Sequence, residues 1–161
     1  MESLAEEVGR VLTWRGWMLA TAESCTGGGI AACVTEVPGS SAWFDRGWVT
    51  YSNASKCAML GVDLTLIAQY GAVSEAVVGA MASGALARSA AQMALAVSGV
   101  AGPSGGSRDK PVGTVCLAWA WDGQVETVTR HFDGNRESVR RQAALGALEG
   151  VLARARGPVV T

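Results

Sequence analysis

Ser24 stands in the run Ala22-Glu23-Ser24-Cys25-Thr26-Gly27-Gly28-Gly29, where a short apolar segment ends and a helical pattern begins at Ile30. A hydroxyl at a strand–turn–helix junction faces the unpaired N–H groups of the following helix, which suit an oxyanion or a phosphate. Glycines at such a turn let backbone approach a ligand closely. The same residues also suit plain helix capping by Ser24 or Thr26, and spacing alone does not separate the two roles. Cys25 is an adjacent and intrinsically stronger nucleophile, so the thiol is a rival to the hydroxyl.

A serine nucleophile needs a base, and this chain is poor in the usual one. Its single imidazole is His131, beside Arg130 in a strand-like segment, where a surface position is the expected reading. Lysine is nearly as scarce: Lys56 and Lys110 are the only two, against eleven arginines. Arginine does not give up its proton, whereas a desolvated lysine can. Lys56 follows Tyr51, Ser52 and Asn53 and is a candidate general base; the competing reading is a solvated helix lysine. A free lysine has a pKa of about 10.4, so burial or a neighbouring cation must lower it for that role.

Two further groups suit a ligand. Ser98-Gly99-Val100-Ala101-Gly102-Pro103, continuing to Gly105-Gly106-Ser107, follows an apolar run that reads as a buried strand. In α/β proteins ligands lie beyond such strand ends; a long connecting turn is the alternative. Arg136 and Arg140 are four apart and share one helix face, either as a phosphate clamp or as a solvated surface. There is no phosphate-binding G-x-x-x-x-G-K-[ST] loop, no G-x-G-x-x-G fingerprint, and Ser24 is followed at +3 by Gly27 rather than by lysine.

Composition limits what surrounds these residues. The 161 residues are 49% hydrophobic and 17% charged, with a net charge of −1, which excludes a disordered chain and gives no basic excess for nucleic-acid binding. The four cysteines, at 25, 33, 57 and 116, match no zinc or redox spacing, and with one histidine no catalytic transition metal is expected. No secretory leader opens the chain and no apolar run approaches the roughly 20 residues of a membrane span, so a reducing cytoplasm with free thiols is expected, without membrane partners. The apolar surplus and six tryptophans lead to the expectation of a homo-oligomer.

The elements that must position Ser24 and Lys56 follow from periodicity and punctuation. Ser3 and Glu6 read as a capping box for a first helix that Gly16 ends. Strands are expected over 17–22, 44–52 and 93–98, and a hairpin over 112–121 and 125–132 around Asp122-Gly123. Helices are expected from 30, from Asn53 as cap to 59, over 63–69, over 74–88, and from Asn135 as cap to about 155. Helices alternating with strands early and a hairpin late give a single three-layer α/β/α domain over 1–161, with a mixed, mostly parallel sheet.

Taken together, several stretches resemble the CinA C-terminal domain family, whose stand-alone members include nicotinamide-nucleotide amidases. They are Ala22 to Gly28; Gly47-Trp48-Val49-Thr50-Tyr51-Ser52-Asn53 with Lys56; Gly71-Ala72-Val73-Ser74-Glu75; Ser98 to Pro103 with Gly105-Gly106 and Lys110 to Val115; and Phe132-Asp133-Gly134-Asn135-Arg136 with Val139-Arg140. The resemblance spans nearly the whole chain, in order. It departs at Ala76, where many relatives have a proline that stiffens the helix start. It implies hydrolysis of nicotinamide mononucleotide to nicotinate mononucleotide and ammonia, without metal or cofactor. The nucleophile falls on Ser24, the base on Lys56 and an assisting hydroxyl on Tyr51. Amides around Cys25, Thr26 and Gly27 then face the oxyanion. Ser98, Gly99 and Gly102 of the long loop, or Arg136 and Arg140, hold the phosphate. The other readings are a Ser-Ser-Lys amidase, which Gly39-Ser40-Ser41 suggests but whose residue order does not fit, and a nucleotide-binding regulatory module without turnover.

Overall fold

The structure, a computed structural model, describes residues 2–157. Five strands form one sheet in the order β2-β1-β3-β4-β5. They are β1 (Leu19–Glu23), β2 (Phe44–Val49), β3 (Met93–Gly99), β4 (Thr114–Trp121) and β5 (Gln124–His131). β1 runs parallel to both β2 and β3, whereas β3 pairs antiparallel with β4 and β4 with β5. The sheet is therefore mixed, with its parallel ladders on the β2-β1-β3 side and the hairpin on the other.

Side-chain size differs between the two faces. Along β3 and β4, Met93, Leu95, Val97, Val115, Leu117, Trp119 and Trp121 point to one face, and Ala94, Ala96, Cys116, Ala118 and Ala120 to the other, as period-2 alternation requires. The bulky face packs on α1 (Glu2–Arg15), α2 (Gly29–Thr35) and α6 (Arg136–Ala155). The small face meets α3 (Asn53–Leu60), α4 (Leu64–Tyr70) and the alanine-rich α5 (Glu75–Ala87). The alanine and glycine surplus thus serves close helix–sheet approach on one side. This is the α/β/α layering expected from the sequence.

The boundaries correct several details. α1 already includes Glu2, so Ser3 lies within the helix and not at its cap. β1 starts at Leu19 rather than Trp17, and β2 stops at Val49 rather than Ser52. The cap of α3 is Ser52, not Asn53: its hydroxyl accepts from the Ser55 amide while the Ser55 side chain returns to the Ser52 amide. The Thr50 amide still donates to the Glu23 carbonyl at 2.8 Å, after which the chain turns into that reciprocal cap. Asp63, Ser74 and Asn135 each cap the following helix through a side-chain oxygen. Asp122 and Gly123 both have positive φ, at 47° and 71°, the two-residue hairpin turn that Asp-Gly favours. No helix among the described residues is long and apolar enough to cross a membrane.

Candidate active site

The carboxyl ends of β1 and β3 lie side by side, and the chain leaves β1 directly into the Ser24 turn. The Ser24 amide donates to the Val97 carbonyl of β3 at 3.0 Å, so the turn starts under the control of the sheet. Glu23, the last residue of β1, is buried at 1% exposure. Its carboxyl oxygens accept from the Thr26 hydroxyl at 2.6 Å and from the amides of Ile30 and Ala31 at 2.8 and 3.0 Å. Of the first amides of α2, that of Gly29 donates to the Thr26 carbonyl and those of Ile30 and Ala31 to Glu23, so none of the three is offered to a ligand. The Gly27 amide turns back to the Ser24 carbonyl.

Lys56 sits in the first turn of α3, and the Ser52 cap sets where that turn begins. Its side chain is 1% exposed. Nζ lies 3.2 Å from the Ser24 hydroxyl oxygen, 3.0 Å from the Thr50 carbonyl and 3.5 Å from the Tyr51 carbonyl. The chain separation of 32 residues is closed by the parallel β1–β2 pairing, which brings the start of α3 over the end of β1. Burial disfavours the ammonium and lowers the Lys56 pKa from the ordinary lysine range. Burial also pushes the Cys25 thiol up to about 12. Burial thus shifts both groups toward their neutral forms, amine and thiol.

Ser24 and Lys56 open onto a cavity of about 300 Å³ that Cys25, Tyr51, Ser98, Gly99, Gly102 and Arg136 also line. At Gly99 a Cβ would stand 2.8 Å from a Val115 methyl, 3.0 Å from the Thr114 carbonyl and 3.2 Å from the Cys25 sulfur, so only glycine fits. Arg136 spans the cavity rim, donating to the Gly102 carbonyl at 2.8 Å and the Tyr51 hydroxyl at 3.1 Å. The Tyr51 hydroxyl thus lies on Arg136, and it is the Tyr51 carbonyl that meets Lys56. Thr26, Gly27 and Arg140 lie behind the turn instead of on the cavity wall. Sequence reasoning gave no site role to Asn53, Ala72 and Val73, which also line the wall, or to Glu23 beneath it. Ala72 and Val73 stood in a recognised motif, but two small apolar residues carry no chemical signal of their own. A larger groove, about 710 Å³, lies between α1 and residues 37–43; its wall has Trp14 and Trp43 but no nucleophile–base pair.

This geometry can activate a serine hydroxyl without imidazole: a buried amine, two carbonyls to orient it, and an open cavity beyond the hydroxyl. Known proteins resemble this chain over most of its length. A nicotinamide-nucleotide amidohydrolase PncC of Pseudomonas putida is 57% identical over 93% of this chain and 94% of its own. A protein of the same name from Escherichia coli K12 is 53% identical over 91% of this chain and 89% of its own. The crystal structure of competence damage-inducible protein A (ComA) from Klebsiella pneumoniae superposes with a TM-score of 0.94 at 44% identity, covering 97% of each chain. The model of the CinA C-terminal domain matches residues 1–155, and the chain belongs to that family.

Proposed function

We propose that this chain hydrolyses the carboxamide of nicotinamide mononucleotide to nicotinate mononucleotide and ammonia, with Ser24 as nucleophile and Lys56 as its base. What supports this is the 3.2 Å contact between Ser24 Oγ and a Lys56 amine that is 1% exposed, together with relatives of matching length that are named nicotinamide-nucleotide amidohydrolases.

The steps need only groups at hand. Neutral Lys56 takes the Ser24 proton as Oγ bonds to the carboxamide carbon, and negative charge moves to the carboxamide oxygen. The amide of Cys25, directly after the nucleophile and on the cavity wall, receives that charge. Lys56 then protonates the departing nitrogen, the C–N bond breaks, and ammonia leaves behind an ester on Ser24. A water molecule gives its proton to Lys56 and attacks the ester; Ser24 leaves with that proton, and the acid is released. Arg136, whose guanidinium faces the cavity beside Gly102, pairs with the phosphate, which a planar fork of donors suits. Tyr51 frames the entrance through its hydroxyl on Arg136.

Incubation of the pure protein with nicotinamide mononucleotide, with ammonia measured, tests the reaction. Wild type should release ammonia, and Ser24→Ala and Lys56→Ala should release none while remaining folded. Binding without ammonia release by the wild type would instead indicate a nucleotide-binding module, and full activity in Ser24→Ala would rule out the serine.

A further inference from the structure

Arg136 and Arg140 share a helix face, yet they point at different things. Arg136 reaches the cavity. Arg140 reaches the back of the nucleophile turn, its Nε donating to the Cys25 carbonyl at 3.1 Å and a terminal nitrogen to the Thr26 carbonyl at 3.3 Å. Among the described residues no carboxylate lies within ion-pair distance of Arg140, so its charge is directed at those two carbonyls. From the other side, Glu23 holds the Thr26 hydroxyl and the amides of Ile30 and Ala31. A cation on the carbonyls of Cys25 and Thr26 and a carboxyl group on the Thr26 hydroxyl and the amides of Ile30 and Ala31 hold the segment 25–31 near its start and at its end.

The grip has a direction. In a trans peptide the C=O and the next N–H point opposite ways. Fixing the Cys25 carbonyl on Arg140 therefore fixes the Thr26 amide facing away from Arg140. A cationic donor on a carbonyl also polarises that peptide, which makes its N–H a stronger donor. We propose that Arg140 and Glu23 are positioning residues which clamp the Ser24 turn between them, keeping Ser24 on Lys56 and the Cys25–Thr26 peptide in one orientation, and that Arg140 does not bind the substrate phosphate. This rests on the Ser24–Lys56 hydrolysis set out above.

The test compares Arg140→Ala, Arg140→Lys and Glu23→Gln with wild type on nicotinamide mononucleotide and on the same nucleoside without its phosphate. Small misplacements of reacting groups cost about 10- to 100-fold, so kcat should fall by that order with KM little changed, and by the same factor on both substrates. Millimolar guanidinium should restore part of the Arg140→Ala loss. Labelling of Ser24 by a fluorophosphonate, in which the serine oxygen displaces fluoride from phosphorus, should slow in parallel, as read by mass spectrometry. A raised KM with kcat kept, and a defect that vanishes on the phosphate-free nucleoside, would make Arg140 a phosphate ligand and overturn the proposal. So would unchanged kcat and labelling. If Arg140→Ala does not fold, Arg140→Lys, which keeps the charge but not the fork, decides by the same readouts. Wild type that labels at Ser24 yet releases no ammonia would refute the substrate assignment alone, and the labelling rates then judge the clamp. Wild type that neither labels nor turns over would sink both.

Discussion

A lysine amine acts as a base only when it is neutral, and burial shifts Lys56 toward that state. A neutral amine has two N–H donors and one lone pair. The Thr50 and Tyr51 carbonyls can take the two donors, which leaves the lone pair for the Ser24 hydroxyl. Desolvation lowers the Lys56 pKa, so the sign of the pH dependence follows. As pH falls through that lowered value the base becomes charged and activity is lost; above it, activity levels off. A profile of kcat/KM against pH should show this rising limb, with its midpoint below the ordinary lysine range; a rising limb that sits in the free-lysine range would contradict the assignment. Lys56→Arg, which keeps the charge and removes the titration, should lower kcat by about 10²- to 10⁴-fold. Cys25 should behave in the opposite way. With its thiol pushed up to about 12, it is not a thiolate near neutrality, so Cys25→Ala should keep most of the activity, and complete inactivation would move the nucleophile to sulfur. At this scale the sequence was legible where chemistry is scarce: one histidine and two lysines made Lys56 conspicuous beside Ser24. Side-chain direction was not legible. Spacing put Tyr51 in the right place, but only the fold shows its hydroxyl on Arg136 and its carbonyl on Lys56.

Among the elements, α3 matters most because it carries Lys56, the proposed base. Its start is set by the Ser52–Ser55 cap, and its end is pressed on α5, where a Cβ at Gly84 would collide with the Leu60 carbonyl. A backbone carbonyl cannot move aside as a side-chain tip can. Gly84→Ala should therefore push α3 and α5 apart, costing about 1–3 kcal/mol by overpacking and moving Lys56 off Ser24. Thermal melting and kcat measured on the same preparation check it; a variant with unchanged melting and unchanged kcat would show that α3 is not held there. The existence of nearly every element was readable from periodicity and punctuation, because Gly61, Asp63, Ser74, Asp122-Gly123 and Asn135 are local signals. The errors fell where tertiary contact outranks local preference. Residues 50–52 look like strand, but beyond the Thr50 amide, which still bonds Glu23, the chain turns away into the α3 cap. Glu23 looks like a flank of the motif, but its value lies in reaching Ile30 and Ala31, seven and eight residues on.

At the scale of the whole molecule, the site is built from parts that are otherwise separate. The cavity wall draws on the ends of β1 and β3, the first turn of α3, the 100–113 connection and the first residue of α6. Layering was legible from the order of helices and strands, whereas strand neighbours were not, since alternation says which face a residue takes and not which strand lies beside it. That β1 sits between β2 and β3 is what joins Ser24 to Lys56 on one side and to the glycine-rich loop on the other. A ligand in this cavity touches elements from both helical layers, so it should resist global unfolding and not merely still a loop. Binding to the folded state alone adds about 2.7 kcal/mol of stability when ligand exceeds its Kd by about a hundredfold. For a chain of this length that is a rise in Tm of about 5–10 °C. Ser24→Ala, which should bind nicotinamide mononucleotide without consuming it, should show this shift, saturating with ligand concentration. Ser24→Ala combined with Arg136→Ala should need much higher concentrations for the same shift, because the phosphate has lost its partner. The phosphate-free nucleoside, by contrast, should stabilise both variants to a similar degree. A double variant that melts like Ser24→Ala at every nucleotide concentration would place the phosphate elsewhere than on Arg136.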